Sequence, residues 1–414
     1  MTRELRDSGV GWLGDIPTDW SVVPARALFG ERKQKSSVTD VHLTPSQKYG
    51  VLPQAEYMEI TGSKVVLNLS GADKMRHVEA GDYVSHLRSF QGGLEFAGIP
   101  GKVSAAYTVL KPKVALVPRF FKYLFKSDLY VQALQTTTDQ LRDGQSIRYA
   151  QFTLIPLPRP SLEEQRAIAE YLDRETAQID AFIAKNEELI TLLTERRASS
   201  VVELIGKHDT IPLKRLVSPK RPLTYGILQC GEPVESGVPY IGPSDLPGEG
   251  ASPTLESLRR TTPEIAAAYG RSVLEGGDIV VSIGPAFGRV GLLSTDLKGA
   301  NLTQDTVRVA TMSPKIDANY LVWVLSSRIA NDFWDYEILG ATFRRLNLGT
   351  LGETPIPYPP LDEQRRIAVA IAEAVAKVDS AIGVARRAVE LARERRAALI
   401  SAAVTGKIDV GVAM

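Results

Sequence analysis

The sequence predicts an α/β protein of the α+β kind: two similar mixed domains, each followed by a long helix, with the helices pairing as an antiparallel coiled coil. Two observations predict it. The stretch SLEEQRAIAEYL, beginning at Ser161, returns as PLDEQRRIAVAI at Pro360, each time behind a proline-punctuated run, IPLPRP and TPIPYPP. Short β-branched runs broken by glycines, then a helical piece, also occur twice in the same order ahead of those prolines. Taken along the chain, this divides it into an opening segment (1–20), a first mixed domain (21–158), a first helical segment (159–207), a second mixed domain (208–358) and a second helical segment (359–414).

The opening, MTRELRDSGVGW, is polar and lacks the apolar core of a signal peptide, and no run of eighteen apolar residues follows anywhere. A cytoplasmic protein that neither spans nor binds a membrane is expected. With 414 residues, 44% of them hydrophobic, the chain has material for two or three cores. One cysteine and four histidines without ligand spacing leave no disulfide framework and no zinc site.

In the first mixed domain the strand-like runs are SKVVLNL, GDYVSHL and AYTVLKP, followed by one helical piece, RFFKYLFKSDLYVQAL. The second domain matches this plan with VPYIGPSDL, GDIVVSIG and DTVRVAT, then ANYLVWVLSSRIANDFW. A Gly-Asp pair opens a strand in both, Gly81–Asp82 and Gly277–Asp278, and leads to a glycine-bearing loop, RSFQGG or GPAFGR. Both domains close on an arginine-bearing loop, RDGQSIRY or GATFRRL, just before the prolines.

The helical segments align at a shift of 199 residues, which lays Leu162 on Leu361, Glu164 on Glu363, Gln165 on Gln364, Arg166 on Arg365 and Ile168 on Ile367. Each starts beyond prolines that no helix interior tolerates, with acidic residues in the first turn where the macrodipole favours them. Apolar residues then recur at three-four spacing: Ile168, Leu172, Ile179, Phe182/Ile183, Leu189/Ile190 and Leu193, against Ile367, Ile371, Val378, Ile382, Val389 and Leu399. Alanines at 374, 381, 385, 388 and 392 suggest large-on-small packing against Phe182, Leu189 and Leu193. The simpler alternative is that each helix packs only on its own domain. Helices of about 45 residues reach roughly 65–70 Å, longer than either mixed domain needs for its own packing.

The net charge of +1 hides a local asymmetry: residues 1–160 hold 20 Lys+Arg against 15 Asp+Glu, and residues 161–206 hold 5 against 10. A basic first domain beside an acidic helix is compatible with a nucleic-acid partner.

The alternation of variable α/β domain and P-x-P-x-L-x-EQ helix, twice over, together with the opening WLGDIPTDWSVVPARALF, resembles the DNA-specificity subunit of type I restriction–modification enzymes over nearly the whole chain. The resemblance implies a non-catalytic subunit serving host defence by DNA methylation and restriction. Each mixed domain is then a target-recognition domain that reads one half of a bipartite, asymmetric site on double-stranded DNA. The helices would set the gap and dock two methyltransferase subunits, with restriction subunits as further partners. S-adenosylmethionine, ATP and Mg would sit on those partners, with none bound by this chain. The rival readings are an autonomous DNA-binding regulator and a coiled-coil scaffold for proteins.

Forked and amide side chains on loops suit base edges, and Lys, Ser, Thr and Tyr suit phosphates. On that ground the first-domain candidates are Arg88, Gln91, Arg142, Gln145 and Arg148, with Lys33 and Lys35 on phosphates. The second-domain candidates are Arg289, Gln304, Arg344 and Arg345, with Lys220 and Tyr225 in support. Gln165, Arg166, Gln364 and Arg365 are candidates for docking a partner, or alternatively for capping the helix start and pinning it to its domain. No catalytic residue is expected. The chain has no Asn/Asp-Pro-Pro-aromatic loop for a flipped base, no G-x-x-x-x-G-K-[ST] loop and no G-x-S-x-G elbow.

Overall fold

The computed structural model describes residues 3–63, 75–85, 92–137, 147–284, 286–312, 314–338 and 345–411. The chain forms two compact units, one made of residues 1–186 and 387–414 and the other of residues 187–386. Each long helix is therefore shared between them: Leu162–Ile205 and Leu361–Val404 each contribute to both units.

In the first unit a four-stranded antiparallel sheet runs in the order Phe29–Glu31, Val109–Pro112, Tyr83–Ser85, Leu94–Phe96. The second unit repeats that order with Thr224–Tyr225, Thr306–Val309, Ile279–Ser282 and Val290–Leu292. A two-stranded ladder in each unit ties the start of the domain to the proline run ahead of the helix, Ser21–Pro24 to Pro156–Arg159 and Thr210–Pro212 to Pro355–Pro357. What differs is attached to this frame. The first unit adds a hairpin, Leu43–Ser46 with Gly50–Pro53, and the pair Arg76–Val78 with Gly101–Val103. The second adds a sheet in which Val238–Ile241 pairs antiparallel to Arg260–Thr261 and parallel to Asn301–Leu302.

The cores show why each unit closes. Phe29, Tyr83, Phe121, Phe125 and Phe152 meet mostly edge to face in the first unit, Phe29 and Phe121 at 5.1 Å. That cluster continues through Trp20 to Ile168 and Leu172 of the first long helix and Ile400 and Val404 of the second. The second unit's core is more aliphatic and takes in Val201 and Ile205 of the first helix and Ala368, Ile371 and Val375 of the second. Apolar residues are thus buried against helix turns from both ends of the sequence repeat. Ion pairs give the helix direction: Arg396 Nε donates to Asp180 Oδ1 at 2.8 Å in the first unit, and Arg197 Nε to Asp379 Oδ1 at 2.7 Å in the second. Partner numbers fall in one helix as they rise in the other, so the helices are antiparallel.

Two expectations are corrected. The single helical piece after each sheet is two helices, Pro118–Lys126 then Asp128–Thr136, and Ala318–Ser326 then Arg328–Glu337. Ser127 and Ser327 make the break: each hydroxyl donates at 2.7 Å to the carbonyl three residues back (Leu124, Val324) and accepts an N–H of the following helix. Phe182 and Leu189 do not fill the seam and are 49% and 44% exposed, because Ile179, Ile183, Ile190 and Leu193 take the inward positions beside them. On the second helix Ile382, Ala385, Val389 and Ala392 are buried at heptad spacing, while Ala381 is exposed.

Candidate nucleic-acid interface

Each sheet holds at one end a clamp, a buried aspartate that takes an arginine fork; the arginine follows its edge strand in the first unit, where Arg32 N donates to Val109 O at 2.8 Å, and precedes it in the second. Asp82, almost fully buried, receives Arg32 Nη2 at 3.0 Å and the Glu79 N–H at 2.9 Å. Asp278 likewise receives Arg221 Nη1 at 2.8 Å and the Glu275 N–H at 2.7 Å. A buried carboxylate holding both an arginine fork and a backbone N–H is compensated, and it fixes the strand entering the sheet. The sequence flagged the Gly-Asp pairs but not their arginines, which lie 50 and 57 residues away.

The opposite end of each sheet opens into the loops. In the second unit Tyr225 pairs with Val307, and Gln304 N donates to Ile227 O at 2.9 Å. Arg345 lies against them, with Nη2 donating to Gln304 O at 2.8 Å and Nη1 paired with Asp305 Oδ1 at 3.1 Å. Arg289 ends the neighbouring hairpin loop, where its N–H donates to Ser282 Oγ at 2.9 Å. Tyr225, Arg289, Gln304 and Arg345 therefore share one rim. Lys220 does not join them; it is flanked by Ser218, bonded to Ala310 O, and by Arg221 of the clamp, at the other end of the sheet. Arg344 lies outside the described residues.

In the first unit Arg148 follows Ile147, whose carbonyl accepts Thr108 Oγ1 at 2.6 Å at the corresponding end of the sheet. Lys33 and Lys35 are exposed on the chain that leaves strand Phe29–Glu31 at that same end. Arg88, Gln91, Arg142 and Gln145 lie outside the described residues. Beyond Lys35, the loop to Asp40 is held by His77, whose Nδ1 meets Asp40 Oδ2 at 2.7 Å and whose Nε2 meets Glu79 Oε1 at 2.8 Å. Burial disfavours the imidazolium, but the hydrogen bonds to Asp40 and Glu79 outweigh it and the His77 pKa is raised.

The helix openings correct the docking expectation for the glutamines. Gln165, 2% exposed, accepts the Val117 N–H at 2.9 Å on Oε1 and donates from Nε2 to Pro160 O at 3.0 Å. Gln364, fully buried, repeats this with the Asp317 N–H at 2.9 Å and Pro359 O at 2.9 Å. Both amides are spent inside their own unit, so they pin helix to domain and offer no surface to a partner. Arg166 and Arg365 are exposed beside them, Arg365 reaching Asp362 at 3.4 Å. Glu164 also does more than sit near the dipole: it accepts the Trp20 indole N–H at 2.8 Å and pairs with Arg3.

Among the described residues no group of three or more His, Cys, Asp or Glu is arranged to hold a metal ion, and no helix is long and apolar enough to cross a membrane.

The profile of the family described as "Type I restriction modification DNA specificity domain" matches residues 232–380. The chain is 28% identical over 289 residues to the EcoBI specificity subunit of Escherichia coli, covering 63% of this chain and 60% of that one, and 23% identical over 425 residues to the MjaVIII specificity subunit of Methanocaldococcus jannaschii, covering 95% and 94%. The chain is similar to type I restriction specificity subunits over most of its length, and the family's domain is matched over residues 232–380. Solved structures agree on the fold. A chain from "Structural basis underlying complex assembly and conformational transition of the type I R-M system" superposes with a TM-score of 0.75 at 15% identity, covering 95% of this chain and 99% of that one. The HsdS subunit from Thermoanaerobacter tengcongensis follows at a TM-score of 0.57 and 14% identity, covering 95% and 98%. The stretch matched in the Escherichia coli subunit is less than two thirds of that protein's length.

Proposed function

We infer that this chain is the DNA-specificity subunit of a type I restriction–modification assembly, in which each unit reads one half of a bipartite, asymmetric site on double-stranded DNA. The observation that carries this is one frame built twice with unlike rims. Clamp, sheet order, serine break and glutamine pin recur, while the strands added to the frame differ: a hairpin and the Arg76–Val78/Gly101–Val103 pair in the first unit, the three-stranded sheet around Val238–Ile241 in the second. Two unlike readers in one chain suit an asymmetric split target, whereas two identical readers suit a palindrome. The mixed domains at 21–158 and 208–358 are the target-recognition domains, and the helical segments set the gap. Exposed Arg166 and Arg365, with the apolar flank of Phe182 and Leu189, give two methyltransferase subunits a surface. Methyl transfer, with S-adenosylmethionine, and ATP-driven cutting, with Mg, belong to the methyltransferase and restriction partners, and this chain works with them in the cytoplasm.

The base readers are the rim residues: Arg148 with Lys33 and Lys35 in the first unit, and Arg289, Gln304 and Arg345 with Tyr225 in the second. Arg88, Gln91, Arg142, Gln145 and Arg344 complete the set on sequence grounds. Methylation-aware sequencing of the source genome, with and without this gene, tests the function. The expected result is a split motif with one modified adenine per half that disappears on deletion. Persistence of all modified motifs after deletion refutes it.

A further inference from the structure

The second rim carries a feature for which none of the predicted readers accounts. Gly226 lies so close to the neighbouring chain that an added Cβ would stand 1.9 Å from Leu302 O. That approach lets Gly226 N donate to Thr303 O at 3.0 Å and Ile227 N to Leu302 O at 2.7 Å, forming a parallel bridge between Ile227 and Thr303. Thr303 N is in turn bonded to Ile241 O at 3.0 Å, and Arg345 braces Gln304 and Asp305 from the side. Ile227 is fully buried in this platform, and the next two residues turn outward: Leu228 is 54% exposed and Gln229 is exposed. The Gln229 amide makes no hydrogen bond to another described residue.

The tip is rigid beneath and uncommitted above. The run Tyr225–Cys230 carries no charge, and the Arg345 guanidinium beside it is already engaged by Asp305 and Gln304, so the tip is poorly suited to neutralising a phosphate. Its chemistry is an amide fork that no described residue engages, next to an apolar branch. In the major groove an amide fork matches the N6 donor and N7 acceptor of adenine, and an apolar branch matches the C5-methyl of thymine. Holding both on a preformed platform also removes the cost of ordering them on binding.

We propose that Leu228 and Gln229 read one A·T base pair of the second half-site through the major groove, with the Gln229 amide on the adenine edge and Leu228 on the thymine methyl. This rests on the reading of the chain as a DNA-specificity subunit. The test uses the full chain, co-expressed with methyltransferase subunits, and duplexes in which each base pair of the site is changed singly. Q229A should lose discrimination at one A·T pair of the second half by about 5- to 100-fold. Placing 7-deazaadenine there, which removes N7, should weaken the unaltered protein and leave Q229A indifferent. L228A should become indifferent to replacement of the paired thymine by uracil. Discrimination in the first half should stay unchanged in both variants, which shows that they are folded and bind DNA. The assignment is overturned if both variants keep every second-half preference, or if they weaken all sequences equally. Absence of any split-site preference in the unaltered chain would overturn the DNA-reading function itself, and this assignment with it.

Discussion

Replacing Gln165 by Ala removes a side chain that satisfies two buried backbone groups at once, the Val117 N–H and the Pro160 carbonyl. Leaving a buried donor or acceptor without a partner costs about 1–3 kcal/mol each, so the loss should be about 2–6 kcal/mol before any cavity term is added. Gln165→Met separates the two contributions, because it keeps most of the volume and still strips both hydrogen bonds. Urea unfolding followed by Trp fluorescence reads the change. Trp20 reports on this junction directly, since its indole N–H donates to Glu164 one residue before Gln165. With a slope of about 2 kcal/mol per molar urea, the midpoint should fall by about 1–3 M. Amide exchange gives a local reading: the Val117 N–H should lose its protection in both variants. Arg166→Ala, on the exposed neighbouring position, should shift stability by no more than about 0.5 kcal/mol. A pinning role for Gln165 is refuted if Gln165→Ala unfolds at the unaltered midpoint with the Val117 amide still protected. Loss of methyltransferase binding in such a stably folded variant would return the glutamine to a docking role.

Two further outcomes follow from the same geometry. Gly226→Ala forces a Cβ to within 1.9 Å of Leu302 O, so it should destabilise the second unit by about 1–3 kcal/mol or more and lower second-half binding while leaving the first half alone; a neutral stability measurement would refute the platform. His77, whose folded pKa is raised, adds stability that is fully present below its unfolded value of about 6.5 and is lost as pH rises through the folded pKa, whereas Asp40, whose folded pKa is lowered, adds stability that is lost as pH falls through its own folded value. Protection of the amides across residues 36–40, taken relative to their intrinsic exchange, should therefore be greatest between those limits, and a His77→Phe variant with the same pH profile of protection would contradict it.

The sequence pattern reveals whatever is local or repeated. Three-four spacing exposed the helices, the runs GDYVSHL, AYTVLKP, VPYIGPSDL, GDIVVSIG and DTVRVAT exposed strands, while SKVVLNL lies outside the described residues beyond Ser63, and the 199-residue shift paired Gln165 with Gln364. It did not reveal which residue a buried group would choose across the fold. Nothing near Asp82 in sequence singles out Arg32, and the choice between docking and pinning for the glutamines turns on Val117 and Asp317, each 47 or 48 residues back. Rotation about a helix axis was equally hidden, since Phe182 and Ile183 satisfy the heptad almost equally well and only packing decides that Ile183 faces in. The serine breaks fell between two apolar stretches that read as one helix, because a hydroxyl that bonds both neighbouring turns leaves no gap in hydrophobic period.

The duplication nonetheless separates two kinds of residue within a single chain. Residues that close the frame recur with the same bonds in both units: Asp82 and Asp278, Ser127 and Ser327, Gln165 and Gln364. Gln229, Gln304 and Arg345 sit on the same kind of frame without a bonded counterpart in the first unit's described residues. A side chain that the frame requires must be present twice, whereas one that faces a target is free to differ between two readers of unlike half-sites. Substitutions at the recurring positions should therefore cost stability in their own unit, and substitutions at the non-recurring rim should change which DNA is bound while leaving the fold intact.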